Sequence, residues 1–216
     1  MYKLVIFDLD GTLADTSEGI YNAHRYTTQA MGIELKKHSL DGVIGGELLK
    51  IYQQRFSLDE ENARRAVDIY RKWYQENGIL QATLYDGMKD TLAFLKEQGY
   101  LLAVATLKRE DFAKILLENL GVAEYFDWIY GMDREDTLNK EKLIRKCMVS
   151  ADAVESETVL VGDSANDAKG AEACGVDFVA VTYGFGFTED DRRKGSDGSW
   201  VSKPSELCQN HILQEV

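Results

Sequence analysis

The sequence predicts an α/β protein: a doubly wound parallel sheet interrupted early by an all-helical insert. Two patterns predict it. From about residue 88 onward, short apolar runs alternate with helical stretches of 10 to 12 residues, the signature of successive βαβ units. Between Thr16 and Leu84, by contrast, roughly 70 residues show amphipathic helical spacing and no convincing strand.

The first strand is read at Lys3–Phe7, where Leu4-Val5-Ile6-Phe7 suits burial on both faces. Four more are expected at Leu101–Ala105, Trp128–Tyr130, Thr158–Val161 and Phe178–Val181. Helices separate the later ones: Met88–Gln98 with Leu92, Phe94 and Leu95, and Asp111–Leu120 with Phe112, Ile115, Leu116 and Leu120, followed by Lys140–Val149 and Ala165–Cys174. Gly99, Gly121 and Gly175 stand just past three of these stretches, where glycine is the usual stop signal. Within the insert, Ser57-Leu-Asp-Glu60 reads as a capping box. It opens a helix whose Ala63, Ala66, Val67, Tyr70, Trp73 and Tyr74 form a stripe suited to helix packing. Gly42-Val-Ile-Gly45-Gly46-Glu47 breaks the helical run, either as a plain turn or as a loop reaching a neighbouring active site. The predicted division is a core of residues 1–15 and 85–216 with a helical insert of residues 16–84. Pro204 is expected to precede a short C-terminal helix.

Composition bounds the function. The 216 residues are 44% hydrophobic, enough for a sizeable core. No run approaches the roughly 18 to 20 apolar residues of a membrane span, and no signal peptide is evident at the N-terminus. Cys147, Cys174 and Cys208 are odd in number and form no Cys-x-x-Cys pair, so reduced thiols and a cytoplasmic setting are expected. With 25 basic and 37 acidic residues the net charge is −12, which argues against binding to a nucleic acid backbone. An anionic substrate then requires a local metal ion or lysine to reverse the field at its site.

The chemistry gathers where strands end, the place where open α/β sheets bind ligands. After Phe7 come Asp8-Leu9-Asp10-Gly11-Thr12, with Asp15 shortly behind. If the extended backbone continues, Asp8 and Asp10 leave the strand on the same side. Alone, the pair also reads as a strand end with solvated acids. Leu101–Ala105 runs into Thr106-Leu107-Lys108, whose hydroxyl can donate to a phosphoryl oxygen but is equally an ordinary cap. Lys140 opens a helix against the helix dipole, a locally unfavourable place for a cation. Thr158-Val-Leu-Val-Gly162-Asp163-Ser164-Ala165-Asn166-Asp167 repeats the opening logic of an apolar strand followed by carboxylates. Hard cations such as Mg²⁺ prefer oxygen ligands of this kind.

Taken together, Asp8-x-Asp10-Gly-Thr with Asp15, Thr106, Lys140 and Gly162-Asp163-Ser-x-x-Asp167 resemble the haloacid dehalogenase-like hydrolase superfamily. The likeness is to its phosphoglycolate phosphatase-like group, whose Rossmann-like core carries a small helical cap. Val181-Thr-Tyr-Gly184-Phe-Gly186 and Lys203-Pro204-Ser205-Glu206-Leu207 look like that group's downstream segments. The resemblance implies a Mg²⁺-dependent phosphatase of a small phosphorylated metabolite. Asp8 would be the nucleophile and Asp10 the acid and base. Mg²⁺ would be held by Asp8, the Asp10 carbonyl and Asp163, with Asp167 completing the metal set by orienting bound water. Thr106, the backbone at Leu107, and Lys140 would grip the phosphoryl group. Leu107 departs from the small polar residue usual after the hydroxyl, which puts the shape of the substrate side in question. Gly45, Gly46 and Glu47 are the expected cap contacts to substrate. Asp15 is read as supporting the loop or hinge, Lys108 as structural, and Glu18 as either a helix charge or a substrate contact. His24, His38 and His211 are read as ordinary surface or helix residues. The chain is expected to act as a monomer or weak homodimer, without membrane attachment. A phosphosugar mutase shares the nucleophile, acid and cap. A receiver-like phospho-accepting switch shares the acids, Thr and Lys but needs neither Asp10 nor an insert.

Overall fold

A computed structural model describes residues 2–194 and 199–209. The chain forms two units, Met1–Asp15 with Thr83–Val216, and Thr16–Ala82. In chain order the elements are β1 (Leu4–Phe7), β2 (Ala14–Asp15), α1 (Ser17–Ala30), α2 (Leu48–Gln54), α3 (Glu60–Trp73) and β3 (Thr83–Leu84). There follow α4 (Met88–Glu97), β4 (Leu101–Arg109), α5 (Glu110–Asn119), β5 (Trp128–Met132), α6 (Lys140–Ala151) and β6 (Thr158–Gly162). The last are α7 (Ala165–Cys174), β7 (Asp177–Val181), α8 (Glu189–Lys194) and β8 (Ser199–Val201).

Six parallel strands make the main sheet, in the order β5-β4-β1-β6-β7-β8. The predicted α/β class with a doubly wound parallel sheet is the one observed. β1 is central because every one of its four side chains is apolar and fully buried; each such Leu, Ile, Val or Phe contributes about 1.5–3 kcal/mol by leaving water. Leu4 and Ile6 share one face with Ala103, Ala105 and Leu160, against Leu143, Ile144, Cys147 and Met148 of α6 and Ala171 and Cys174 of α7. Cys147 and Cys174 are therefore core thiols, and Cys208 is half-buried; all three are free. Gly99, Gly121 and Gly175 take positive φ past their helices, as expected.

Register sets up the site. Phe7 lies opposite Val104 on one side and Val161 on the other. The residues that follow, Asp8, Ala105–Thr106 and Gly162–Asp163, therefore emerge together at the carboxyl edge.

Three features differ from expectation. β4 runs on past Ala105 to Arg109, with a register irregularity against β5 between those two residues. β8 adds a sixth strand that three residues of mixed polarity did not signal. Thr83 and Leu84 belong to the sheet unit, not the insert: they pair antiparallel with Asp15 and Ala14, so β2 and β3 form a small second sheet. Asp15 is thus a paired strand residue.

In the helical unit, α3 is capped by Asp59, whose carboxylate accepts from the Asn62 N–H at 2.8 Å. Ser57 instead takes a left-handed φ of 55°, so the predicted capping box does not form and a single side-chain cap stands two residues further on. The shorter reach is the reason: the helix starts at Glu60, and the residue immediately before it is the one whose side chain meets the free N–H groups. Tyr70 and Tyr74 of the predicted stripe are buried, and Trp73 stacks on Tyr26. His24 is not a surface residue. It is fully buried in α1, with Nδ1 3.0 Å from the Tyr52 hydroxyl and its ring against Tyr70 and Phe56. Burial pulls its pKa down to about 3. His38 is exposed beside Asp41, Glu18 is exposed in the first turn of α1, and His211 lies outside the described residues. Among the described residues no helix is long and apolar enough to cross a membrane.

Candidate active site

Each strand end delivers one part of the site. Asp8 follows β1, with its N–H donating to the Val161 carbonyl at 2.9 Å. Its carboxylate accepts from Lys140 Nζ at 2.8 Å. The same ammonium reaches Asp167 Oδ1 at 2.7 Å and donates to the Ala105 carbonyl at 2.8 Å. Lys140 can do this because Asn139 caps α6, accepting from the Lys142 N–H, and so aims the first side chain of the helix into the cluster. Gly170 of α7 makes room: a Cβ there would sit 2.5 Å from Lys140 Cγ. The misplaced charge noted in the sequence is thus compensated by two carboxylates.

Asp167 is fully buried. It belongs to a genuine capping box, its Oδ2 accepting from the Ser164 N–H (3.0 Å) and hydroxyl (2.6 Å), while Ser164 Oγ accepts from the Asp167 N–H. One oxygen serves the helix cap and the other faces Lys140. Asp163 Oδ2 accepts from the Phe185 and Gly186 N–H groups at 2.7 and 3.1 Å. Gly11, at φ +83°, closes over it: a Cβ there would lie 2.3 Å from Asp163 Oδ2. Oxygens of Asp8, Asp163 and Asp167 all lie within 4.8 Å of one another.

Thr106 is buried, and its Oγ1 accepts from the Lys108 N–H at 3.1 Å. Alternation along β4 sends Leu107 the other way, against the core beside α6. Only its backbone is left for the site, so its bulk does not face a ligand. Lys108, read from sequence as structural, is the residue that sequence reasoning missed. Its Nζ is 3.0 Å from Asp10 Oδ1, and the two side chains are 6% and 9% exposed. The available signal was its i, i+2 spacing from Thr106, the same spacing that relates Asp8 to Asp10. Tyr183 also serves the loop after β1: its hydroxyl donates to the Thr12 carbonyl at 3.1 Å and its ring packs edge-on to Tyr85. Gly45, Gly46 and Glu47 lie in the helical unit, in the turn before α2, where Glu47 pairs with Lys50. They are not among the residues gathered at the strand ends.

Charge here is unbalanced. Asp8, Asp10, Asp163 and Asp167 face Lys108 and Lys140, all of them with side chains nearly out of water. With all four carboxyl groups ionised, two negative charges would be left over. Burial pushes Asp8 up to about 8, opposed by Lys140 and reinforced by Asp167 and Asp163. Burial likewise raises Asp163 to about 6 against the Phe185 N–H. Lys140 is desolvated, but Asp167 and Asp8 outweigh that and hold it charged. Buried carboxylates in excess, offering only oxygen, fit a hard divalent cation.

Comparison with known proteins agrees with this architecture. A family model described as haloacid dehalogenase-like hydrolase matches residues 5–181. The chain is 34% identical over 194 residues to a 5'-nucleotidase of Pseudomonas aeruginosa, covering 89% of this chain and 87% of that one. It is 33% identical over 185 residues to the tyrosine-protein kinase PtkA of Mycobacterium tuberculosis, covering 85% of this chain but only 63% of the longer protein. A phosphoglycolate phosphatase of Colwellia psychrerythraea is 28% identical over 89% of this chain and 90% of that one. Among solved structures, a predicted phosphatase from Clostridium acetobutylicum superposes with a TM-score of 0.90 at 34% identity, covering 98% of this chain and 99% of that one.

Proposed function

The chain belongs to the haloacid dehalogenase-like hydrolases and is a phosphatase, and we propose that it hydrolyses a small phosphorylated metabolite through an aspartyl-phosphate on Asp8. The observation that carries this reading is the pairing of Asp8 with Lys140 at a strand end, 2.8 Å apart and buried. Such a carboxylate is fixed, aimed out of the sheet and relieved of part of its repulsion for an incoming phosphate. Repulsion of about 4 kcal/mol per charge pair acts at 4 Å and an effective dielectric near 20, so positive charge around the phosphoryl group decides whether attack is possible.

In the proposed cycle Asp8 forms a bond to phosphorus while the ester P–O bond breaks. The electron pair of that bond leaves on the ester oxygen, which takes the proton of Asp10. Asp10, then a carboxylate, accepts a proton from the water that attacks phosphorus, and Asp8 is regenerated. Thr106, the Leu107 N–H and Lys140 bind the transferring group. Mg²⁺ would be held by Asp8, Asp163 and Asp167 with the Asp10 carbonyl; it supplies charge neutralisation for attack and for the phosphoryl oxygens. Gly45, Gly46 and Glu47 of the helical unit are proposed to select the leaving group. A cytoplasmic setting suits the three free thiols, and the enzyme is proposed to act as a monomer or weak homodimer.

The substrate is proposed to be a nucleoside monophosphate, phosphoglycolate or a sugar phosphate. The likeness to a 5'-nucleotidase and a phosphoglycolate phosphatase supports starting there. The test is phosphate release across such a panel with Mg²⁺ and with chelator, ranked by kcat/KM, with Asp8→Asn as blank. Metal-dependent release by the wild type and none by Asp8→Asn is expected. Full release by Asp8→Asn overturns the assignment, and turnover only with a bisphosphate activator overturns hydrolysis in favour of a mutase.

A further inference from the structure

We propose that Lys108 is the positioning residue for Asp10: it holds one carboxylate oxygen and so fixes the other as the one that gives a proton to the leaving group. This rests on the phosphatase reading above. Lys108 Nζ lies 3.0 Å from Asp10 Oδ1, with the two side chains only 6% and 9% exposed. That separates it from surface pairs such as Lys50–Glu47, at 60% and 40% exposure, which water and salt screen to little net worth.

The backbone is built to place this lysine. β4 extends past Ala105, so Thr106 and Lys108 point to the same side while Leu107 packs into the core. The Lys108 N–H donates to Thr106 Oγ1. On the neighbouring strand Gly131 lets the chains approach so closely that a Cβ there would sit 2.5 Å from the Lys108 carbonyl. Two lysines thus divide the site, Lys140 holding Asp8 and Asp167, and Lys108 holding Asp10.

The consequence follows from hydrogen-bond chemistry. An ammonium only donates, so the oxygen it meets acts as acceptor. A carboxylic acid carries its single proton on one oxygen, and the contact to Oδ1 leaves Oδ2 to carry it. Removing the lysine takes away one restraint on the carboxyl group, and a proton donor displaced by about 1 Å loses roughly a hundredfold in rate.

The experiment compares Lys108→Met, Lys108→Arg and Asp10→Asn on two esters, glycerol 2-phosphate and p-nitrophenyl phosphate. kcat/KM covers the steps up to departure of the leaving group, and proton donation matters for an alkoxide far more than for nitrophenolate. Lys108→Met is expected to lose about 100-fold more on the alkyl ester than on the aryl ester, within the usual range of general acid catalysis. Asp10→Asn is expected to show the same bias, Lys108→Arg to restore most of the ratio, and the double variant Lys108→Met/Asp10→Asn to lose no more bias than either single one. Equal losses on both esters, or none on either, overturn the inference and leave the phosphatase reading standing. Absence of release by the wild type from both esters and from the metabolite panel overturns the two together.

Discussion

Replacing Lys140 with methionine removes the ammonium 2.8 Å from Asp8 and 2.7 Å from Asp167, and leaves both carboxylates buried at 5% and 0% exposure. The apolar stem that passes Gly170 is kept, so the change is one of charge more than of volume. Stranding one partner of a buried pair costs about 3–5 kcal/mol. For a chain of this length each kcal/mol moves Tm by about 2–4 °C, which gives a fall of roughly 6–20 °C. Catalysis suffers separately: losing an ammonium about 4 Å from a phosphoryl oxygen forfeits about 4 kcal/mol at an effective dielectric near 20. That is a drop of about a thousandfold in kcat. Thermal denaturation and steady-state kinetics measure the two effects. Mg²⁺ provides the internal control, because a cluster with one fewer positive charge should attract a cation more strongly. Added Mg²⁺ is therefore expected to raise Tm more in Lys140→Met than in the wild type. A variant with unchanged Tm and a kcat within twofold of wild type would refute the electrostatic account and move the role to Lys142, whose exposed ammonium donates to the Thr137 carbonyl.

Two further outcomes follow from particular side chains. His24 has a folded pKa of about 3 against an ordinary 6.5, so the neutral form is the folded one. Its stability contribution is full above about pH 6.5 and is lost as pH falls toward 3; at pH 5 the loss is about 2 kcal/mol. Denaturant unfolding at pH 7 and pH 5 should show that increment in the wild type and not in His24→Phe; equal losses in both would contradict it. Gly11→Ala places a methyl 2.3 Å from Asp163 Oδ2 at φ +83°. It is expected to cut kcat by at least about tenfold, with a fall in Tm, since a positive φ for alanine alone costs about 1–2 kcal/mol; wild-type values would show that the loop tolerates the shift.

Much of the architecture was legible because it rests on local apolar patterning. The run Leu4–Phe7 is hydrophobic at every position, which suits a strand covered on both faces, and register then carries Asp8, Thr106 and Asp163 to one edge. What escaped detection depends on long-range pairing. Ala14–Asp15 and Thr83–Leu84 are two residues each and gain their strand character only from one another. β8 has three residues, of which Val201 alone is buried. Lys108 reads from the sequence as merely structural, because β4 is longer than its apolar run and continues past Ala105 through residues that serve the site. The burial of His24, which the sequence offers as an ordinary surface or helix residue, escapes for a related reason. A lone histidine beside Ala23, Thr27 and Thr28 on one face of α1 carries little mark of burial, and its place is decided by Tyr52, Tyr70 and Phe56, which lie 28 or more positions away in the chain.

The central claim is that Asp8 carries the phosphoryl group, and trapping that group tests it most directly. The Asp10→Asn variant, which keeps the nucleophile but lacks the base for the second step, is mixed with ³²P-labelled p-nitrophenyl phosphate, whose leaving group departs without a proton, and Mg²⁺, then quenched in acid and digested. The account predicts label on the peptide containing Asp8, in a bond that hydroxylamine releases, and none in Asp8→Asn. Label on another residue, or phosphate release from Asp8→Asn at the wild-type rate, would contradict it.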